Sequence, residues 1–302
     1  MDGPDRPGSQ TLALVGLSGP SLRFAEVVTE GDRPARRLRR LGAVDFDFDA
    51  EQAVFGDGHG LDEVRRALGD VLAGTEARVL GLVAHPPVTT TFFTPLPADL
   101  PEADRDAHLA QETALLADTP PTQALRIRAV PVRTEWVAAG ERRWFHVVHV
   151  GVEVHDRLSG LADALGVPGY DVVDATRAAA AAASAVAGPD GTHLVVGGYA
   201  GHTEVALCRD GAFVFGYHGP GTTPADTAYF SLAALQHARL DVSDVDRLLV
   251  YGDECGPDRL GLTGEFLDRP LDPLDAFERF GRTVDMPASE RAAFAPVLGG
   301  AL

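Results

Sequence analysis

The sequence predicts an α/β protein made of two similar lobes, with a small α+β subdomain inserted into the first. Three observations carry that expectation. A three-stranded meander, an amphipathic helix and a buried strand follow one another near the start. The same order returns about 180 residues later, and a stretch rich in proline and charge lies between the two copies. With 302 residues and 45% hydrophobic content, the chain can fill two sizeable cores.

The elements follow in order. TLALVGL and SLRFAEVV alternate across a turn at Gly19 and Pro20. ARRLRRLGAVDFDFD reads as a third strand, with Phe46 and Phe48 on one face and Asp45, Asp47 and Asp49 on the other. LDEVRRALGDVLAG places Leu61, Val64, Leu68, Val71 and Leu72 at helical spacing, and RVLGLVAH reads as a strand buried on both faces. VTTTFFTPLP, PEADRDAHLAQETALLAD and ALRIRAVPVRTEWV then form a β-α-β insertion. WFHVVHVGVEV is expected to re-enter the first lobe. After it come a helix at LSGLADALG and an alanine-rich helix, ATRAAAAAASAVA, that links the lobes. The second copy is HLVVGG, EVALCRDG and AFVFGYHG, then a helix opened by Thr223, Pro224 and Asp226, then DRLLVYGD. The expected limits are a disordered tail at 1–10, a first lobe at 11–188 with its subdomain at about 86–143, and a second lobe at 189–302.

Composition removes several functions. The net charge of -18 disfavours nucleic acid and anionic lipid surfaces, which reward clustered Lys and Arg. The chain has no Lys, so all 26 basic residues are Arg. A P-loop NTPase, a protein kinase and a pyridoxal enzyme each need a lysine that is not here. Cys208 and Cys255 are too few for a disulfide framework, and no apolar run approaches the ~20 residues of a membrane span. A cytoplasmic location is expected.

Local motifs carry little chemistry by themselves. LVVGGYAGHTEVAL could crowd backbone N-H groups around a phosphate, but its spacing is met by a plain hairpin. His146, His149 and His155 invite a metal reading. However, His146 and His149 point to opposite faces of a strand, and no HExxH or CxxC spacing occurs, so no metal is expected. Asp171 and Asp174 sit beside a helix start, where carboxylates favour the N-terminal dipole. Arg33, Arg36, Arg37, Arg39 and Arg40 read as a solvated edge that discourages strand pairing, with docking as the other use.

At this point the residues carry a resemblance. Two β-β-β-α-β lobes, the insertion and the alanine-rich link resemble the actin-like (RNase H-like) ATPase superfamily, and within it the PilM group with its relatives FtsA and GspL. FFTPLPADLPEADRDAHLAQETALL, LADALGVPGYDVVDATRAAAAAA and RPLDPLDAF carry the likeness to PilM. The resemblance implies a duplicated two-lobe fold. It also implies a nucleotide cleft whose residues, if retained, are Ser18, Arg23, Gly198, Gly201, Thr203 and Gly252.

The same resemblance puts Gly16 and Gly197 where active members carry aspartates, Tyr199 where a motif glycine stands, and Asp253 in the third motif. Magnesium in such sites is held through carboxylates and waters, and hydrolysis needs a positioned water. Two glycines supply neither. The expectation is therefore a non-catalytic scaffold with no cofactor, and the alternative is a small-molecule or sugar kinase using ATP with Mg. The implied partner is an inner-membrane protein of a type IV pilus or related secretion platform, held by a short cytoplasmic segment in a groove between the first lobe and its insertion. Such a chain is cytoplasmic, or peripheral at the inner membrane through that partner. Phe92 and Phe93, on opposite faces of VTTTFFTPLP, are the candidate anchors.

Overall fold

Alternating apolar residues build a meander of β1 (Gln10–Ser18), β2 (Ser21–Thr29) and β3 (Arg36–Asp45), with Gly19 supplying the positive φ of 52° that the first turn requires. The computed structural model describes residues 10–29, 36–86, 88–118, 126–138 and 140–302, so residues 1–9 of the expected tail and Arg33 lie outside the described residues, while Gln10, expected in the tail, begins β1. The third strand stops earlier than expected. Phe46 and Phe48 leave the sheet, pack on each other at 5.0 Å and join the lobe's core. Asp49 accepts a hydrogen bond from the Gln52 N-H and caps α1 (Ala50–Phe55). The alternation of Asp and Phe thus marks a helix start rather than a strand end.

α2 (Leu61–Val71) and β4 (Val79–Ala84) complete the unit. The insertion follows as β5 (Thr90–Pro97), α3 (Glu102–Leu116), β6 (Ile127–Val137) and β7 (Gly140–His149). Its sheet runs β5-β7-β6, with both pairings antiparallel. Trp144 to His149, expected to re-enter the first lobe, therefore lie in the middle of this sheet. β5 and β6 do not pair with each other, and β7 satisfies the backbone groups of both. The chain returns to the first lobe with α4 (Val152–Ala164) and β8 (Gly169–Asp174), giving the sheet order β3-β2-β1-β4-β8. β4 lies parallel between β1 and β8, which explains its nearly continuous burial.

α5 (Ala175–Ala187) connects to the second unit: β9 (Thr192–Gly198), β10 (Thr203–Arg209), β11 (Ala212–Gly219), α6 (Pro224–His237) and β12 (Arg247–Tyr251). Thr223 and Asp226 form the full capping box at the start of α6. α7 (Pro257–Leu267) and β13 (Leu271–Pro273) extend it, and the sheet order is β11-β10-β9-β12-β13. α8 (Ala288–Ala292) and α9 (Ala295–Gly299) close the chain.

Each sheet has one face against its own helices. The facing sides share one core, in which Leu14 and Val27 of the first sheet, Val195 and Ala206 of the second, the alanines of α5 and Val297 of α9 are buried together. A Cβ on Gly299 would stand 1.9 Å from the Ala178 carbonyl oxygen, so α5 and α9 touch backbone to backbone. The alanine run is what permits that approach. No helix among the described residues is long and apolar enough to cross a membrane.

Candidate functional site at the interlobe cleft

The ends of β1, β4, β9 and β12 meet where the two lobes face each other, as parallel strands in open α/β sheets commonly present their functional ends. Here the groups that meet are the chain's own. Ser18 Oγ donates to Asp253 Oδ2 at 3.1 Å, and the Arg23 guanidinium pairs with Asp253 Oδ1 at 2.5 Å. Both contacts cross from the first hairpin to the loop after β12.

Two of the three candidate glycines of the second lobe, Gly198 and Gly252, pack against one another's loops. A Cβ on Gly198 would lie 2.4 Å from the Glu254 carbonyl oxygen, and one on Gly252 (φ 92°) would lie 2.5 Å from the Gly198 oxygen. The Glu254 N-H already donates to that oxygen at 2.9 Å. The close approach of two loops, rather than an anion, explains these residues. Gly201 has open space around its Cβ position. Thr203 is fully buried; its hydroxyl lies 3.0 Å from that of Thr227 and accepts from Arg259 at 3.1 Å.

The two positions where the resemblance implies aspartates are also closed sterically. A Cβ on Gly16 would meet Val297 Cγ2 at 2.7 Å, and one on Gly197 would meet the Tyr251 ring at 2.6 Å. Val297 and Tyr251 occupy the space that carboxylates would need. These residues do not fit a magnesium-bound nucleotide: neither glycine offers the cation a ligand, and Arg23 is already paired with Asp253.

At the centre of the cleft lies a cluster that motif reasoning missed. The fully buried Glu204, on β10, accepts at Oε1 from His85 Nδ1 (2.8 Å) and His202 Nε2 (3.0 Å), and at Oε2 from the Tyr251 hydroxyl (2.6 Å). His85 follows β4 in the first lobe, and the others belong to the second. The Tyr199 ring stacks on His202 at 4.8 Å and meets His85 edge-on at 4.7 Å. Burial alone would raise the Glu204 pKa, but the charge of His85 and the hydrogen bonds from both histidines outweigh it and hold the carboxyl well below the usual range. Burial likewise lowers His85, and the charge of Glu204 reverses this and leaves it raised. Tyr199 and Tyr251 are pushed well up by burial and by the same carboxylate, so both hydroxyls stay protonated, and that of Tyr251 donates to Glu204. The signal in the sequence was a lone acid inside the otherwise apolar strand EVALC.

Other candidates are placed differently. Phe92 packs in the insertion's own core beside Leu96, Leu109 and Phe145. Phe93 points the other way, stacks on His146 at 4.7 Å and meets Phe213 and Phe215 of β11 at 5.6 and 5.2 Å. Their opposite faces are as expected. Asp174 caps α5 through the Arg177 N-H, and His149 Nδ1 donates to the Arg126 carbonyl. Arg36 reaches the Leu302 carbonyl, while Arg39 and Arg40 flank the buried Glu26 at 3.2 and 3.6 Å, so those members of the basic run bind within the chain. Cys208 is pushed up to about 12 by burial, which removes it as a nucleophile.

A groove of about 610 Å³ runs between the first lobe and the insertion. Ile127, Val148 and Val172 form an apolar floor, and Arg126, Arg128, Asp163 and Asp171 line it with charge.

No protein-family model matches the chain, and no curated protein matches it in sequence. Among solved structures, a PilM–PilN type IV pilus biogenesis complex is 16% identical with a TM-score of 0.66, over 96% of this chain and 97% of that one. A Bacteroides thetaiotaomicron protein with an actin-like ATPase fold and unknown function is 10% identical with a TM-score of 0.51, over 89% and 95%. The chain has the actin-like ATPase fold: two five-stranded mixed sheets and a small antiparallel sheet in two lobes.

Proposed function

We propose that this chain is a non-catalytic adaptor that receives an extended segment of a partner in the groove between its first lobe and its insertion. The groove is the observation that carries the reading. Among the described residues it lies beside β8, an edge strand that pairs only with β4, and beside β6, an edge strand that pairs only with β7. Unpaired strand edges offer N-H and C=O groups to an added strand, which here would displace Arg128 from the Val172 C=O and from Asp171, and the apolar lining accepts alternate side chains. The cleft supports the non-catalytic half of the proposal, because Gly16 and Gly197 carry no carboxylate and Val297 and Tyr251 fill the space beside them.

The likeness to a PilM–PilN complex supports the class of partner. In this reading the partner is an inner-membrane protein of a type IV pilus or related secretion platform, and its short cytoplasmic segment lies in the groove. The chain then works in the cytoplasm, at the membrane through that partner, with residues 11–188 as the receiving lobe. The test is copurification from membranes of the source cells, followed by calorimetry with the synthetic N-terminal segment of the recovered protein. Binding by the wild-type chain that is lost in Ile127→Glu, with circular dichroism unchanged, supports the proposal. Binding that survives Ile127→Glu, or no recovery, overturns it.

A further inference from the structure

One ligand atom each from His85, His202 and Glu204 lies within 4.8 Å of the other two, the one such group among the described residues. A tetrahedral zinc ion with bonds of about 2.0–2.1 Å holds its ligand atoms about 3.3 Å apart. The 2.8 and 3.0 Å Glu204–histidine spacings are within tenths of an ångström of that value, and the three ligand atoms span no more than 4.8 Å, so the two imidazoles must also draw together for an ion to enter.

The surroundings are those of a supported ligand set. The Tyr251 hydroxyl fixes the second carboxylate oxygen, and the Tyr199 ring fixes the planes of both imidazoles, as outer partners do in metal sites. Two further buried oxygens, Tyr199 Oη and Glu51 Oε1, have no hydrogen-bond partner. Glu51 interacts electrostatically with His85, His202 and Glu204, so its charge acts on this same cluster. Buried polar atoms left without partners in a native protein mark a place for an ion or ordered water.

We propose that His85, His202 and Glu204 bind one divalent transition-metal ion of the zinc class, which joins the two lobes. Two imidazoles and one carboxylate select zinc, cobalt or nickel over magnesium and calcium, which prefer all-oxygen shells. Because His85 comes from the first lobe and the other two ligands from the second, the ion acts as a staple across the cleft. An ion that binds the folded chain and not the unfolded one raises its stability in proportion to the logarithm of the metal concentration.

The test uses the full chain, stripped with chelator and titrated with zinc and with cobalt(II) chloride. One ion per chain is expected, with a rise in melting temperature and an absorption edge spectrum that contains two imidazole nitrogens. Affinity is expected to fall by about 10–100-fold or more in His85→Gln and in His202→Gln. Absence of binding overturns the proposal, as does an all-oxygen shell on the wild-type chain, which would indicate surface carboxylates. Affinity unchanged in both folded variants overturns it as well. The edge spectrum of the wild-type chain decides the matter even if a variant fails to fold.

Discussion

The Arg23 guanidinium lies 2.5 Å from the Asp253 carboxylate, across the boundary between the first lobe and the second. Ser18 reaches the same carboxylate from the neighbouring strand. An acid from the third motif thus meets the basic and hydroxyl groups of the first, and the lobes close on each other.

The purified chain is expected to release no phosphate from ATP with magnesium. Asp253→Ala should free Arg23 and Ser18 without creating activity, because Gly16 and Gly197 still provide no carboxylate. A colorimetric phosphate assay checks this. Magnesium-dependent release by the wild type that disappears in Thr203→Val would show that the cleft is catalytic after all.

Restoring an acid should destabilise the fold. Gly197→Asp drives a Cβ to 2.6 Å from the Tyr251 ring and is expected to cost about 1–3 kcal/mol by overpacking, with the buried charge adding to this. Gly201→Ala, which meets nothing within 4 Å, should change stability by no more than about 0.5 kcal/mol. Urea unfolding of the two variants measures the contrast, and equal effects would refute the packing argument.

Phe92 and Phe93 should separate two interfaces. Both are half-buried, so truncation to alanine is expected to cost about 2 kcal/mol, below the ~3–5 kcal/mol of a fully buried ring. Phe92→Ala should speed amide exchange inside the insertion, and Phe93→Ala should speed it in β11 of the second lobe. Identical exchange maps would show that the two faces are not distinct.

The contribution of His146 to stability should fall as pH drops below about 6.5, the ordinary histidine value, while the raised His85 acts in the opposite direction. Burial lowers the pKa of His146 in the folded chain, with Asp174 at 3.9 Å opposing the shift only in part. A histidine depressed on folding leaves stability intact above its unfolded pKa. Stability is then lost as pH falls toward the folded value, because the unfolded chain takes up the proton first. His155, His193 and His218 are lowered by burial too and act in the same direction. Melting curves from pH 8 to 5 should therefore be flatter for His146→Phe than for the wild type, and a steeper variant curve would contradict the assignment.

Periodicity and turn chemistry determined most of the architecture: both meanders, the capped helix at Thr223 and the alanine-rich link are local patterns of period 2 or 3.6. That Gly16 and Gly197 stand where relatives carry aspartates is what the resemblance implies, and no local pattern in the chain encodes it. The place of Trp144 to His149 was not legible either, because a strand's partners are chosen by unsatisfied backbone groups elsewhere in the chain. Only the tertiary structure decided the site. Glu204 and His85 stand 119 residues apart in sequence, and Gly16 and Val297 stand at opposite ends of the chain. A buried acid in an apolar strand announces that it must have partners, since its desolvation has to be offset. Which histidines and tyrosines supply them depends on how two lobes close, and no local pattern encodes that.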